Sequence, residues 1–112
     1  MKYTVKKLKD FKQISGTSLK GYVYADYSTL VEVFGEPAGC YDDYKSDCAW
    51  DLVINGTVCT IYNYKDGQNY CGEDGLLVED ITEWHIGGHS RLAEQLVEGA
   101  IEQHYKAKTQ TA

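Results

Sequence analysis

The chain has 112 residues, 43% of them hydrophobic and 25% charged, with a formal net charge of −6. That is room for one domain around one core, in the composition range of a globular protein rather than a disordered one. No apolar run approaches the roughly 20 residues needed to span a bilayer, and no apolar stretch follows the basic start Met1–Lys9, so no membrane contact and a cytoplasmic location are expected.

The charge is uneven. Residues 1–20 hold six of the eleven basic groups and one of the seventeen acids. The rest is an acidic body, which repels nucleic acid and suits a basic protein partner or plain solubility. Cys40, Cys48, Cys59 and Cys71 form no Cys-x-x-Cys pair. With no secretion signal they read as free thiols used as small apolar residues.

In chain order, Leu8, Phe11 and Ile14 suit one helical face, so a short helix is predicted within residues 3–14, ended by Gly16-Thr17-Ser18. Ser18–Ala25 alternates as a strand. Leu19, Gly21, Val23 and Ala25 face one way, and Lys20, Tyr22 and Tyr24 the other. Asp26 is placed to cap a helix whose Tyr27, Leu30, Val31 and Phe34 share one face, and Gly35 and Pro37 end it. Gly39–Asp47 reads as a polar loop.

Cys48–Ile54 and Thr57–Tyr64 read as two strands joined by Asn55-Gly56, a pair that tolerates the positive φ of a tight hairpin turn. The register follows: Ile54 opposite Thr57, Leu52 opposite Cys59, Trp50 opposite Ile61. Those residues make the core face, and Asp51, Val53, Val58, Thr60, Tyr62 and Tyr64 lie on the other. Cys48 and Cys59 then stand about 13 Å apart along the ladder, too far for a bridge.

Lys65–Gly75 reads as an irregular loop and Leu76–Val78 as a short apolar run. Asp80–Ile86 is the last strand, with Ile81, Glu83 and His85 on one face and Thr82, Trp84 and Ile86 on the other. Gly87-Gly88 is expected to break it. Ser90 then caps a helix with Leu92, Leu96, Val97, Ala100 and Ile101 on its buried side and Glu94, Glu98 and Glu102 on its wet side. The tail from Lys106 is expected to fray. The sum is a single α+β domain over residues 1–112, with residues 1–14 and 106–112 peripheral. One antiparallel sheet of about four strands carries its helices on one face.

Two surfaces are candidates for function. The first is the junction Trp84, His85, Gly87, Gly88, His89, Ser90 and Arg91. A Gly pair lets backbone N–H groups approach a ligand, and a helix N-terminus favours a phosphate. The same residues also serve simply to turn the chain and cap the helix, and they match neither a P-loop nor a dinucleotide fingerprint. The second is the sheet face left by the helices, with Tyr22, Tyr24, Tyr62 and Tyr64 near Asp51 and the acidic loops 41–47 and 73–80. Tyrosine suits surfaces that are apolar and wet at once, so this face fits a partner offering Arg and Lys, or a second copy of the chain. His85 and His89 are spaced like metal ligands, but the Gly pair interrupts any shared helix, so no metal and no cofactor are expected. No local signature marks a nucleophile–base pair, so binding is expected rather than turnover. A small enzyme using His85 or His89 as a base is the lesser alternative.

The runs Gly16-Thr17-Ser18-Leu19-Lys20-Gly21-Tyr22-Val23, Gly56-Thr57-Val58-Cys59-Thr60-Ile61-Tyr62-Asn63-Tyr64-Lys65-Asp66-Gly67 and Glu83-Trp84-His85-Ile86-Gly87-Gly88-His89 resemble a family of small proteins encoded by bacteriophages. The resemblance covers residues 14 to 104. It implies an accessory protein of host takeover or anti-defence, working in the bacterial cytosol by stoichiometric binding. Such binding blocks a host factor, as anti-CRISPR proteins do, or sequesters a nucleotide alarm signal. The portion Phe34-Gly35-Glu36-Pro37 to Trp50 and the hairpin also resembles the repeat unit of β-lactamase-inhibitor-type and outer-membrane assembly lipoprotein domains, which implies an α+β fold.

Overall fold

The computed structural model describes residues 2–9, 11–37, 48–64 and 66–110. The expected loop Gly39–Asp47, with Cys40, lies outside them. Five strands, β1 (Val5–Lys7), β2 (Ser18–Tyr24), β3 (Ala49–Ile54), β4 (Thr57–Tyr62) and β5 (Glu83–Gly88), form one antiparallel sheet in the order β1-β3-β4-β5-β2. The helices are α1 (Tyr27–Phe34), a single turn α2 (Gln68–Cys71) and the long α3 (Leu92–Gln110). The α+β expectation holds, with one strand more than expected.

The hairpin has the register its turn demands: Ile54 opposite Thr57, Leu52 opposite Cys59 and Trp50 opposite Ile61. Asn55 and Gly56 take φ of +50° and +81°, the positive pair that matches strand twist. Trp50, Leu52, Ile54, Cys59 and Ile61 are all buried. Leu30 and Phe34 of α1 and Ala93, Leu96, Val97 and Ala100 of α3 close over them in one cluster.

Two tryptophans fix α1 to the sheet. Trp50 and Trp84 meet edge to face at 5.4 Å. The indole of Trp50 donates to Gly35 O at 2.8 Å and that of Trp84 to Ala25 O at 3.0 Å. Each thus satisfies a carbonyl just beyond one end of the helix while its ring fills the core. Asp26 does stand at the N-cap, but its side chain makes no capping bond; the helix starts from its carbonyl, which accepts from Leu30 N.

Five local expectations are corrected. Residues 3–14 are not a helix: Val5–Lys7 pairs with Leu52–Ile54, and a 3-10 turn follows at Phe11–Ile14. The segment is held by distant partners. Tyr3 N donates to Gln103 Oε1 at 2.7 Å, Gln103 Nε2 to Tyr3 O at 3.1 Å, and Thr4 N to Asn55 Oδ1 at 2.8 Å. The loop after Tyr64 contains α2 and a 3-10 turn at Gly72–Asp74. Strand β5 does not break at Gly87-Gly88 but runs through both. Finally, α3 continues to Gln110, because Lys108, His104 and Tyr105 all reach Glu32 on α1. Its buried stripe is Ala93, Leu96, Val97 and Ala100, while Leu92 is 54% exposed.

Because β1 and β2 lie on opposite edges, the chain between them must cross the sheet, and its described residues 8, 9 and 11–17 mark the path. They cross the face opposite the helices, where the 3-10 turn touches β4 and Leu8 is buried outside the helix-side core. One half of that face is therefore covered, and Asp51 and Thr60 beneath it are buried.

Candidate functional site

The open half is built on one row of cross-strand neighbours. Ala49 faces Tyr62, Tyr62 faces His85, and His85 faces Tyr22. Because side chains alternate along each strand, the pairing puts Tyr22, Tyr62 and His85 on the same surface. Tyr64 joins them from just past β4. The imidazole of His85 is the hub: ring centroids lie 4.9 Å from Tyr22, 5.5 Å from Tyr62 and 5.6 Å from Tyr64. The Tyr62 ring is stacked on it at 25°, and the other two are tilted at 60°. Tyr22 and Tyr64 remain 40% and 38% exposed, so the cluster is an open platform rather than a closed core.

The surroundings set its electrostatics. Burial holds the His85 imidazole below its ordinary value, against the opposing pull of Glu83 and Asp66. It is neutral at pH 7 for that reason. Its Nδ1 is enclosed and has no partner among the described residues. Burial, then the neighbouring phenols of Tyr64 and Tyr22, push the Tyr62 phenol above its usual value. The platform is thus three phenol rings around a neutral imidazole, with Glu83 and Asp66 at its margin. Asn63 places Asp66 there: it is fully buried, accepts from Cys48 N at 3.0 Å, and donates to Asp66 Oδ1 at 3.1 Å. Nothing in its local sequence pattern marked Asn63, because its partners are 15 residues back and three ahead.

The two surfaces read from the sequence are redistributed. His85 leaves the Gly-Gly junction and joins the tyrosines. Tyr24 stands on the same face opposite Glu83, 75% exposed at the sheet edge. Asp51 is withdrawn from it and buried. Trp84 is fully buried and cannot stack on a ligand. Gly87 and Gly88 have no positive φ and sit in the ladder opposite β2 and β4, so their small size serves close packing rather than a turn. A Cβ on Gly87 would stand 2.6 Å from Thr60 Oγ1, and one on Gly88 2.8 Å from Val58 O. His89 is held by Gln13 O at 2.6 Å from Nε2. Ser90 Oγ accepts from Leu92 N at 3.1 Å, as a cap should, and Arg91 is exposed. The junction is a packed end of the sheet, and the platform is the surface that the fold leaves open.

Other chemistry is sparse. Cys48 and Cys59 are buried, and Cys71 is exposed. Burial pushes the Cys59 thiol up to about 11, so it is not a thiolate at pH 7. Among the described residues no group of three or more His, Cys, Asp or Glu is placed to hold a metal ion, and no helix is long and apolar enough to cross a membrane.

Fold and site together define a small α+β domain with one sheet face closed by helices and the other half open around His85. No protein-family model matches the chain, and no curated protein matches it.

Proposed function

We propose that the protein is a phage-type, non-enzymatic inhibitor that binds a host factor of anti-phage defence and blocks it, docking a cationic patch of that protein on the Tyr22–Tyr62–Tyr64–His85 platform. The observation that carries this reading is the aromatic cluster itself, exposed on the face the helices leave and edged by Glu83 and Asp66. Phenol rings attract a guanidinium or ammonium by about 0.5–1 kcal/mol when exposed and about 2 kcal/mol once water is excluded. A neutral His85 leaves that attraction unopposed, and the acidic body of the chain adds long-range steering. The resemblance to phage accessory proteins supports the class of partner. The alternative, a nucleotide sponge at Gly87–Arg91, draws no support from a buried Trp84 and a Gly pair closed against β4.

The test is inhibition by Tyr62→Ala and Tyr64→Ala variants in bacteria carrying a defence system that the wild-type protein blocks. Both variants are expected to stay folded, since neither ring belongs to the helix-side core, and to lose inhibition. Full inhibition by both variants would remove the platform as the working surface.

A further inference from the structure

Among the described residues strand β2 ends the sheet, so one side of its main chain has no described strand beside it. The ladder shows which groups face outward. Ala25 N donates to Thr82 O across to β5 at 2.9 Å. By alternation in an antiparallel pair, the main-chain groups of Val23 and Ala25 face β5, and those of Tyr22 and Tyr24 face away. Tyr22 confirms the direction: its N–H donates at 2.9 Å to Glu94 Oε2, reaching over from α3 across the space a side chain at Gly21 would fill. Glu94 thus seals one outward donor. The carbonyl of Tyr22 and both main-chain groups of Tyr24 have no partner among the described residues.

Beside Tyr24 lie two adjoining grooves of about 410 and 340 Å³, sharing Tyr24 and Ile101. Ile101 and Tyr105 form an apolar strip along them, and Asp26, Glu98 and Glu102 line them, with no Lys, Arg or His among the lining residues; Lys106, one turn beyond, pairs with Glu102 at 3.3 Å, so Asp26 and Glu98 carry most of the groove's negative charge.

We propose that the free edge of β2 at Tyr22–Tyr24 accepts an extended, Lys- or Arg-bearing segment of a partner protein as a sixth, antiparallel strand. One residue of the segment pairs with Tyr24 through both main-chain bonds, and a residue two further along donates to the Tyr22 carbonyl. The residues on either side of the Tyr24 partner then turn their side chains into the groove, against Asp26 on one side and Glu98 and Glu102 on the other. Main-chain pairing holds the segment and the groove selects its charge. Glu94 stops the added strand from extending toward Ser18, which keeps the edge from serving as an open template for aggregation. A second copy of this chain is the poorer occupant, since it brings the same acids to the same groove. This inference stands apart from the aromatic platform, because it rests on main-chain groups and on acids of α1 and α3.

The test uses two synthetic peptides, Thr-Lys-Val-Lys-Thr-Lys-Val and its Glu counterpart, titrated into the full chain and followed by backbone amide NMR and hydrogen exchange. The Lys peptide is expected to shift and protect the Tyr24 amide and to bind roughly tenfold tighter than the Glu peptide. Glu98→Lys with Glu102→Lys is expected to reverse that preference. Tyr24→Pro removes an N–H that no β5 group uses, so it is expected to fold and lose the peptide, while Tyr24→Ala keeps it. Should Tyr24→Pro not fold, the charge reversal decides alone. An unperturbed Tyr24 amide, equal binding of both peptides, or Tyr24 protection that grows with protein concentration alone overturns the proposal. The platform variants Tyr62→Ala and Tyr64→Ala leave this binding intact, so the two surfaces fail separately.

Discussion

Gly88→Ala is the substitution that separates packing from ligand binding at the Gly-Gly pair. A methyl there would stand 2.8 Å from the Val58 carbonyl oxygen of β4 and 3.1 Å from the Ala93 Cβ of α3. Carbon contacts are comfortable at about 3.5–4.0 Å, so β4, β5 and α3 must part by roughly half an ångström. Neither neighbour is a flexible side-chain end: one is backbone in the sheet centre, the other a Cβ on the buried stripe. Overpacking of this kind costs about 1–3 kcal/mol, and the stiffer unfolded chain returns about 0.4–1 kcal/mol, leaving a net loss of about 1–2 kcal/mol. For a domain of this size that lowers Tm by about 4–8 °C. Urea unfolding with an unchanged slope measures it directly. Gly87→Ala should cost less, because its nearest atom is the rotatable Thr60 hydroxyl at 2.6 Å. If Gly88→Ala is as stable as wild type, the close approach is not what requires glycine, and a ligand-facing role for the pair returns.

Two further outcomes follow from the titratable groups. The His85 imidazole is held below its ordinary value in the fold, so stability is fully present above the unfolded value of about 6.5 and is lost as pH falls through the lower, folded value. Denaturation midpoints are expected to drop on acidification from pH 7, and His85→Phe should flatten that part of the curve; an unchanged slope in the variant contradicts the assignment. A thiol reagent at neutral pH is expected to reach Cys59 only on unfolding, since Cys59 is buried with its thiol at about 11. Peptide mapping after brief labelling reads this, and rapid native-state modification of Cys59 is the contrary result.

The parts of the fold that could be read from sequence are those whose cause is local. Asn55-Gly56 sets the hairpin register by its own backbone, and Gly35 and Pro37 end α1 without outside help. Strand β1 was missed because its partner, β3, lies almost 50 residues on, and three residues carry too little pattern to show it. The end of α3 was misjudged for the same reason: Lys106–Gln110 reads as a polar tail until Glu32 of α1 stands beside Lys108. Glycine has two uses that look alike in sequence, bending the chain and letting elements approach, and Gly87-Gly88 serves the second. The site was half legible. Alternation put the tyrosines on one face and His85 on the side of its strand opposite Trp84 and Ile86, without saying which side lay outward. That they share a cluster depends on β5 lying between β4 and β2, a non-local pairing that no spacing reveals.

The most direct test of the platform is native mass spectrometry of the protein recovered gently from the bacterial cytosol, wild type beside Tyr62→Ala/Tyr64→Ala. The account predicts a stoichiometric complex with a host protein for the wild type and free, folded protein for the variant. A variant that holds the host protein equally well, or a wild type that carries only a small-molecule mass, contradicts it.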